Sequence, residues 1–191
     1  HRVKRDNRTG KIDECEVPGC RKSGKVPHGH RNNYHQIKQD LVSDNKRNEI
    51  IANVIRNNLG SCQVVISNEI TQLDSIWKML HHLGIKYPYY YTLTGKTTAK
   101  NKREMFEQLE VNPGFVLFST VAGEGLDIPR IDRIHLPFPT RNPGTVEQWL
   151  GRGTRIWEGK KDIIVYDYAD VKVSALASQF RSRLTKCPLK Q

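Results

Sequence analysis

Two arginines spaced three residues apart are the strongest candidates for chemistry in this sequence. Arg152 and Arg155 close the run QWLGRGTR, which begins at Gln148 and lies in a stretch predicted to be helical from about Thr145. Because residues three apart lie on one helix face, the two guanidinium groups can converge on a common partner. Such a pair can hold phosphate oxygens and offset the charge that develops in phosphoryl transfer. The alternative is a solvated basic helix face, and the accompanying Gln148 and Gly151 favour the phosphate interpretation.

A segment rich in glycine and hydroxyl groups, residues 119–129, is the second candidate. It follows an apolar run that is predicted to be a buried strand. Gly125 permits tight backbone geometry, the hydroxyl of Thr120 and free N–H groups suit phosphate, and Asp127 can orient an arginine or a ribose hydroxyl. Alone, such a segment could be an ordinary turn. Its position about twenty residues before Gln148 makes a phosphate-related role the better prediction.

The run Gly95-Lys96-Thr97 matches only the end of a phosphate-binding P-loop. The full pattern G-x-x-x-x-G-K-[ST] requires glycine at position 90, where this sequence has Tyr90. The run is therefore predicted to be a structural turn or a turn that contacts nucleic acid. No P-loop is found in the sequence.

Four potential metal ligands lie near the beginning of the chain, at Cys15, Cys20, His28 and His30. Their spacing departs from the paired C-x2-C pattern of structural zinc sites. We expect no metal site, and a metal-free basic arm is favoured over a zinc-binding one. Four cysteines in a chain of this length do not indicate a disulfide framework, so a reducing compartment is expected.

The elements that must position these residues alternate between strands and helices. Apolar runs predict strands at 62–67, 89–94, 115–120, 133–136 and 162–168. Helical spacing predicts helices from Asn45 to Gly60, from Ile70 to Gly84, over 99–109, from about Thr145, and over a last segment that carries Val173, Leu176, Phe180 and Leu184. The first of these helices is expected to place Ile50, Ile51, Val54 and Ile55 on one apolar face. This order predicts an α/β fold, a parallel sheet with helices on both faces. Ligands of such sheets gather beyond the carboxyl ends of the strands, after Ser67, Thr94, Thr120 and Leu136.

Charge and composition restrict the partners. The 191 residues include 31 Lys and Arg against 20 Asp and Glu, a formal net charge of +11. This charge favours a polyanion, and nucleic acid is preferred to an anionic membrane because no basic amphipathic helix stands out. Residues 1–33 lack apolar periodicity and are predicted to form a basic arm or interdomain linker before a domain at 34–191. Because the sequence does not begin with Met, we expect a fragment of a longer protein.

The candidate segments resemble the motifs of superfamily 2 helicases, in the order and spacing of that family. Residues 119–129 and 148–155 resemble motifs V and VI. Ser67-Asn68 resembles motif IV, and Leu93-Thr94-Gly95 resembles the motif often named IVa. The resemblance covers roughly residues 34–186.

Three further segments resemble one branch of the superfamily. Arg47-Asn48, Gly159-Lys160-Lys161 and Tyr166-Asp167-Tyr168 are similar to a branch that includes phage recombination helicases, the promoter-opening helicase of transcription and repair, and restriction-enzyme motors.

The resemblance implies a RecA-like fold and a place as the second of two RecA-like domains. ATP with Mg²⁺ would be bound mainly by the N-terminal RecA-like domain of the same chain, which precedes this sequence. Arg152 and Arg155 would be arginine fingers, with Gln148, Gly125 and Asp127 on the nucleotide side. Residues in contact with nucleic acid would be Ser67, Asn68, Thr94, Gly95 and Thr120.

The sequence therefore predicts the C-terminal motor domain of an ATP-dependent helicase or translocase, which is inactive alone. The alternative is a non-catalytic module with a RecA-like fold that only binds nucleic acid. The arginine pair favours the enzyme. DNA is favoured over RNA, no membrane partner is expected, and the expected location is the cytoplasm of a bacterial or phage-infected cell.

Overall fold

The computed structural model describes residues 34–85, 90–120, 128–139, 147, 151 and 157–186. The chain divides into two compact units, His1–Gln39 and Asp40–Gln191. In the first unit the described residues are 34–39, which are helical. The description below concerns the second unit, which holds all of the strands in the described residues.

The second unit is a parallel α/β sheet, as the sequence predicted. In chain order the elements are α1 (Tyr34–Ser43, which begins in the first unit), α2 (Asn45–Arg56), β1 (Cys62–Ile66), α3 (Ile70–His82), β2 (Tyr90–Leu93), α4 (Ala99–Val111), β3 (Phe115–Ser119), β4 (Arg133–Leu136), β5 (Ile164–Asp167) and α5 (Ser174–Lys186). The five strands are ordered β2-β3-β1-β4-β5, and every neighbouring pair is parallel. The central strands β1 and β3 consist of buried residues only.

Alternation along the strands divides the core into two layers. Val64 packs in one apolar cluster and the next residue, Val65, packs in the other, because successive strand residues point to opposite faces. Helices α2 and α3 cover the face of Val65, whereas α4 contributes Leu109 to the face of Val64. Helices on both faces are therefore confirmed, and so is the burial of Cys62, which is 6% exposed.

Two differences from the sequence prediction concern the first helices. Helix α1 was not predicted, because its ten residues contain few apolar side chains and its apolar spacing of helical type is short, from Tyr34 through Ile37 to Leu41. In α2 we expected Ile50 on the apolar face with Ile51 and Ile55, but Ile50 is 61% exposed. An α-helix has 3.6 residues per turn, so successive residues are about 100° apart around its axis. Ile51 and Ile55 define the buried face, and Ile50 lies about 100° from Ile51.

Two ion pairs connect helices α2 and α5 to the end of β5 and the residues just after it. Arg183 of α5 donates to both carboxylate oxygens of Asp167, from Nε at 2.8 Å and Nη2 at 2.7 Å. Arg47 of α2 donates from Nε to Asp170 Oδ1 at 3.1 Å and from Nη2 to the Tyr168 carbonyl at 3.0 Å. Both guanidinium groups are buried, and fork-like pairs of this kind specify orientation as well as attraction. They hold α2 and α5 against the carboxyl end of the sheet.

Candidate nucleic-acid and nucleotide site

Three predicted site residues lie side by side at the carboxyl edge of the sheet. The strand ends before them are in register, since Ser119 pairs with both Leu93 and Ile66. Two hydrogen bonds continue the ladder, from Ser67 N to Ser119 O and from Thr120 N to Leu93 O, each 3.1 Å long. Neighbouring strands are about 4.8 Å apart. The structure thus places Thr94, Thr120 and Ser67 in one row across three adjacent strands, which we name the hydroxyl row.

The Ser67 hydroxyl is committed to the protein interior. Ser67 is 2% exposed, and its Oγ accepts a hydrogen bond from Glu69 N at 3.1 Å. The same Oγ donates to Gln72 Oε1 in a long bond of 3.4 Å, and Gln72 in turn contacts Asn48 and the Pro137 carbonyl. Asn68 beside it is exposed. Ser67 therefore shapes the turn that presents Asn68.

A tight turn carries Thr94 and Gly95. Thr97 N donates to Thr94 O and Thr94 N donates to Thr97 Oγ1, both at 3.0 Å, so the two threonines close the turn reciprocally. Gly95 is exposed, and a Cβ atom placed there would meet no other atom within 4 Å. Its φ is not positive, because among the described residues only Gly84 and Gly159 have positive φ. The fold itself does not require glycine at this position, so the bare backbone is available to a partner.

Helix α4, which begins directly after this turn, has a charge distribution that opposes its own dipole. Its first turn has no acidic residue, and Thr98 caps it by accepting from Asn101 N at 3.2 Å. The basic side chains lie at the N-terminal end of the helix, at Lys100, Lys102 and Arg103, and in the turn before it, at Lys96. We name these four residues the α4 basic patch. The acidic side chains Glu104, Glu107 and Glu110 follow toward the C-terminus. Exposed i,i+4 ion pairs join Lys100 to Glu104 at 3.9 Å and Arg103 to Glu107 at 3.7 Å, and exposed pairs of this kind are weak. Cations at a helix N-terminus are unfavourable by a few tenths of a kcal/mol each, up to about 1 kcal/mol, so a bound anion would stabilise this end of the helix.

The predicted nucleotide-side residues lie outside the described part of the chain. These are Gly125, Asp127, Gln148, Arg152 and Arg155, and the potential zinc ligands of the N-terminal arm lie outside it as well. Glu147 and Gly151 are described and helical, consistent with the helix predicted from about Thr145. Within the described ranges, no group of three or more His, Cys, Asp or Glu residues is arranged to hold a metal ion. No helix in the same ranges is long and apolar enough to cross a membrane.

A buried polar network that joins β1, β4 and the residue after β5 was missed by sequence reasoning. Gln63 donates through Nε2 to the carbonyls of Ile55 and Asn58, so its Oε1 faces His135 Nε2 at 2.9 Å. His135 therefore donates from Nε2, and its Nδ1 accepts from the Tyr168 hydroxyl at 2.8 Å. Desolvation, assisted by the nearby Arg133, lowers the pKa of His135 to about 3, so the ring is neutral. Desolvation also raises the pKa of Tyr168. The only sequence signal for this network was the polar residue Gln63 within the short apolar run CQVVIS.

Comparison with known families decides the assignment. The family model of the helicase conserved C-terminal domain matches residues 45–156. The chain belongs to this family. This match confirms the predicted helicase C-terminal domain, and the matched range contains the hydroxyl row, the α4 basic patch and the arginine pair. The finer assignment to one branch stays a prediction.

Similar proteins agree with this assignment. The chain is 28% identical over 158 residues to "Transcript termination protein OPG145" of Variola virus, covering 78% of this chain and 31% of the relative. It thus spans about a third of that relative's length, and a viral relative gives no support to the expected bacterial setting. "The crystal structure of T4 UvsW" aligns with 81% of this chain and 35% of that chain, with a TM-score of 0.65 and 16% identity. "Mss116p DEAD-box helicase domain 2 bound to an RNA duplex" aligns with 74% of this chain and 55% of that one, with a TM-score of 0.59 and 12% identity. These likenesses show the RecA-like fold that the sequence predicted.

Proposed function

We propose that this chain supplies the second RecA-like domain of an ATP-dependent nucleic-acid helicase or translocase. The observation that carries this proposal is the helicase C-terminal family match over residues 45–156. ATP with Mg²⁺ is bound mainly by an N-terminal RecA-like domain of the longer protein. The named relative acts in transcript termination, and a motor that moves along nucleic acid is compatible with that name.

On the nucleotide side, Arg152 and Arg155 act as arginine fingers. A guanidinium pair placed beside the transferred phosphoryl group stabilises the charge that develops there. Gln148 positions the pair, and Gly125 and Asp127 couple it to the nucleotide. This role distinguishes a motor from a non-catalytic binding module, because a module that only binds nucleic acid does not need a phosphoryl-transfer group.

On the nucleic-acid side, the carboxyl edge holds the phosphate backbone. Thr94, Gly95, Thr120 and Asn68 contact the strand, and Ser67 contributes by shaping the turn at Asn68. The support is the register that aligns the row, the bare backbone at Gly95 and the α4 basic patch beside it. Contacts to phosphate position a strand without reading its sequence, so binding without sequence preference follows. DNA is the favoured partner, and RNA is the other outcome of the assay below.

The test uses the full-length protein that contains this chain. Steady-state ATPase is measured with saturating single-stranded DNA, duplex DNA, single-stranded RNA or duplex RNA. Arg155→Ala should lower kcat by about 10³-fold, the range of arginine fingers, with a smaller change in ATP affinity. Arg155→Lys should not restore the parent rate, because an ammonium lacks the planar fork.

Arg56→Ala is the matched control. Arg56 is exposed and ends α2, a helix that leads into the amino end of β1 and so finishes at the sheet edge opposite the hydroxyl row. Its kcat should equal that of the parent. A parent rate in Arg155→Ala would contradict the motor function, and binding of nucleic acid without ATPase would favour the non-catalytic module.

A further inference from the structure

Gln72 is a buried polar side chain that connects the ends of two neighbouring strands. It lies in the first turn of α3 and is 0% exposed. Its Oε1 accepts a hydrogen bond from Ser67 Oγ in the turn after β1, and its Nε2 donates to the carbonyl of Pro137, directly after β4. The same Nε2 donates to Asn48 Oδ1 in α2, and each of these bonds is 3.4 Å long. Because β1 and β4 pair in the sheet, one amide joins two strand ends and two helices at the carboxyl edge.

The direction of each hydrogen bond around Gln72 is set by its partners. Asn48, which is also 0% exposed, donates from Nδ2 to the Val42 carbonyl at 2.9 Å, so its Oδ1 faces Gln72. The Gln72 amide therefore presents its NH2 group to two acceptors and its Oε1 to the Ser67 hydroxyl, which donates. Ser67 Oγ in turn accepts from Glu69 N at 3.1 Å. Because bonds of 3.4 Å are long, they contribute more to the orientation of these groups than to stability.

The residue that these bonds hold in place is Asn68. It lies between Ser67 and Glu69, which are joined through the Ser67 hydroxyl, and its own side chain is exposed. A buried amide is costly unless its hydrogen bonds are made, whereas an apolar side chain in the same place would need none. We infer that Gln72 is a positioning residue that holds the turn of residues 67–69 so that Asn68 meets the phosphate backbone of nucleic acid. This inference rests on the function proposed above, and Gln72 itself is too deeply buried to contact the strand.

A positioning role and a purely structural role predict different binding behaviour. Gln63 is the matched comparison, because it is also 0% exposed and its Nε2 likewise donates to two acceptors, the carbonyls of Ile55 and Asn58. It lies inside β1 and not in the turn that follows the strand. If both glutamines only support the fold, replacing either one lowers the melting temperature and leaves the affinity of the folded protein for nucleic acid unchanged. If Gln72 positions Asn68, its loss weakens binding by the folded protein, and the loss of Gln63 does not.

The experiment measures the melting temperature and the Kd for labelled single-stranded DNA and RNA at fixed salt, in variants of the full-length protein. Gln72→Met and Gln63→Met remove the amides and nearly keep the length of the side chain. Asn68→Ala removes the proposed contact, and loss of a hydrogen bond to a charged phosphate weakens binding by roughly 10-fold. We expect Gln72→Met to raise the Kd by about 3-fold or more and Gln63→Met to change it by less than about two-fold.

Combining the substitutions shows whether Gln72 acts through Asn68. The double variant of Gln72→Met and Asn68→Ala should have the Kd of Asn68→Ala alone, because no contact is then left for Gln72 to position. A purely structural role does not predict this dependence. If Gln72→Met does not fold, Ser67→Ala removes the other partner of the same bond, and its Kd, alone and combined with Asn68→Ala, decides in the same way.

Each outcome decides one proposal. If Asn68→Ala weakens binding while Gln72→Met binds as Gln63→Met does, the positioning role is wrong and the proposed contact stands. The inference also fails if Gln72→Met weakens binding further when Asn68 is already replaced, since it then acts elsewhere. If Asn68→Ala binds as tightly as the parent, the contact in the proposed function is wrong and the inference fails with it. Weaker binding in Gln72→Met that is absent from Gln63→Met and depends on Asn68 supports the inference.

Discussion

Acidification should destabilise this domain through one buried histidine. His135 is fully buried, and both of its ring nitrogens have partners that suit only the neutral ring. Gln63 Oε1 accepts from Nε2, and the Tyr168 hydroxyl donates to Nδ1. A second proton on Nδ1 would oppose the Tyr168 donor and place a charge in the core close to Arg133.

The sign and size of this loss of stability follow from the pKa values of His135 in the native and unfolded states. In the native state the pKa of His135 is about 3, against an ordinary value of 6.5. Below pH 6.5 the unfolded chain therefore binds a proton that the native chain does not, so the stability is present above pH 6.5 and is lost as the pH falls toward 3. Between pH 7 and pH 4 the expected loss is about 3 kcal/mol, from 1.36 kcal/mol per pKa unit. That is a large share of a typical domain stability of about 5–15 kcal/mol.

Urea unfolding followed by tryptophan fluorescence at pH 7, 6, 5 and 4 measures this loss. His135→Gln can retain a donor and an acceptor but cannot be protonated, so it should be less stable at pH 7 and should have a smaller pH slope. His82→Gln, on the exposed end of α3, is the matched control for replacing a histidine with glutamine. The raised pKa of Asp132, caused mainly by desolvation, acts in the opposite direction and is common to all three proteins. Equal pH slopes in the parent and His135→Gln would refute the reasoning.

Three further tests concern the packing and the proposed interface. Gly114→Ala should destabilise the domain by about 1–3 kcal/mol in the same urea experiment, because its Cβ would lie 2.8 Å from the Leu59 carbonyl oxygen. Gly60→Ala is the control: its Cβ would have open space, so it should change stability by less than about 0.5 kcal/mol. Gly95→Ala should leave stability unchanged and weaken binding of a labelled single strand, and unchanged affinity would contradict close approach at this turn. Replacing Lys100 and Arg103 with Gln should make the negative slope of log K against log salt less steep by about 1.4 if both contact phosphates of a single strand, and an unchanged slope would exclude these two side chains from the interface.

The sequence was sufficient to predict the sheet, because each strand is indicated by residues that are neighbours in the chain. Continuous apolar runs such as CQVVIS predicted strands buried on both faces, and β1 begins at the predicted residue, Cys62. Parallel topology then placed the predicted residues Thr94 and Thr120 at one edge, which the register confirms. Their role in binding nucleic acid stays a prediction, as do the roles of the residues outside the described ranges.

Contacts between distant residues could not be predicted. His135 and Gln63 are 72 residues apart, and Gln72 and Pro137 are 65 apart, so no periodicity links either pair. The burial of Ser67 has the same origin, since it depends on Gln72 and on where the turn to α3 folds back. A pattern of residue types predicts which face of an element is apolar, but the partner of a buried polar group depends on how elements pack together.

The separation of core and site explains why activity and stability should respond to different substitutions. In β1 and β3 every residue is buried, so a polar side chain there needs an internal partner, as Gln63 has in His135. The proposed nucleic-acid contacts therefore lie in the turns after the strands, and such turns have little apolar core to hold them in place. Hydrogen bonds do this instead: Ser67 orders the turn at Asn68, and Thr97 closes the turn at Thr94. Each of these bonds contributes only about 1 kcal/mol to the free energy of folding, yet it sets the position of a group that must meet its partner within a fraction of an ångström. Loss of such a bond is therefore expected to cost far more in turnover than in melting temperature, and loss of core packing the reverse.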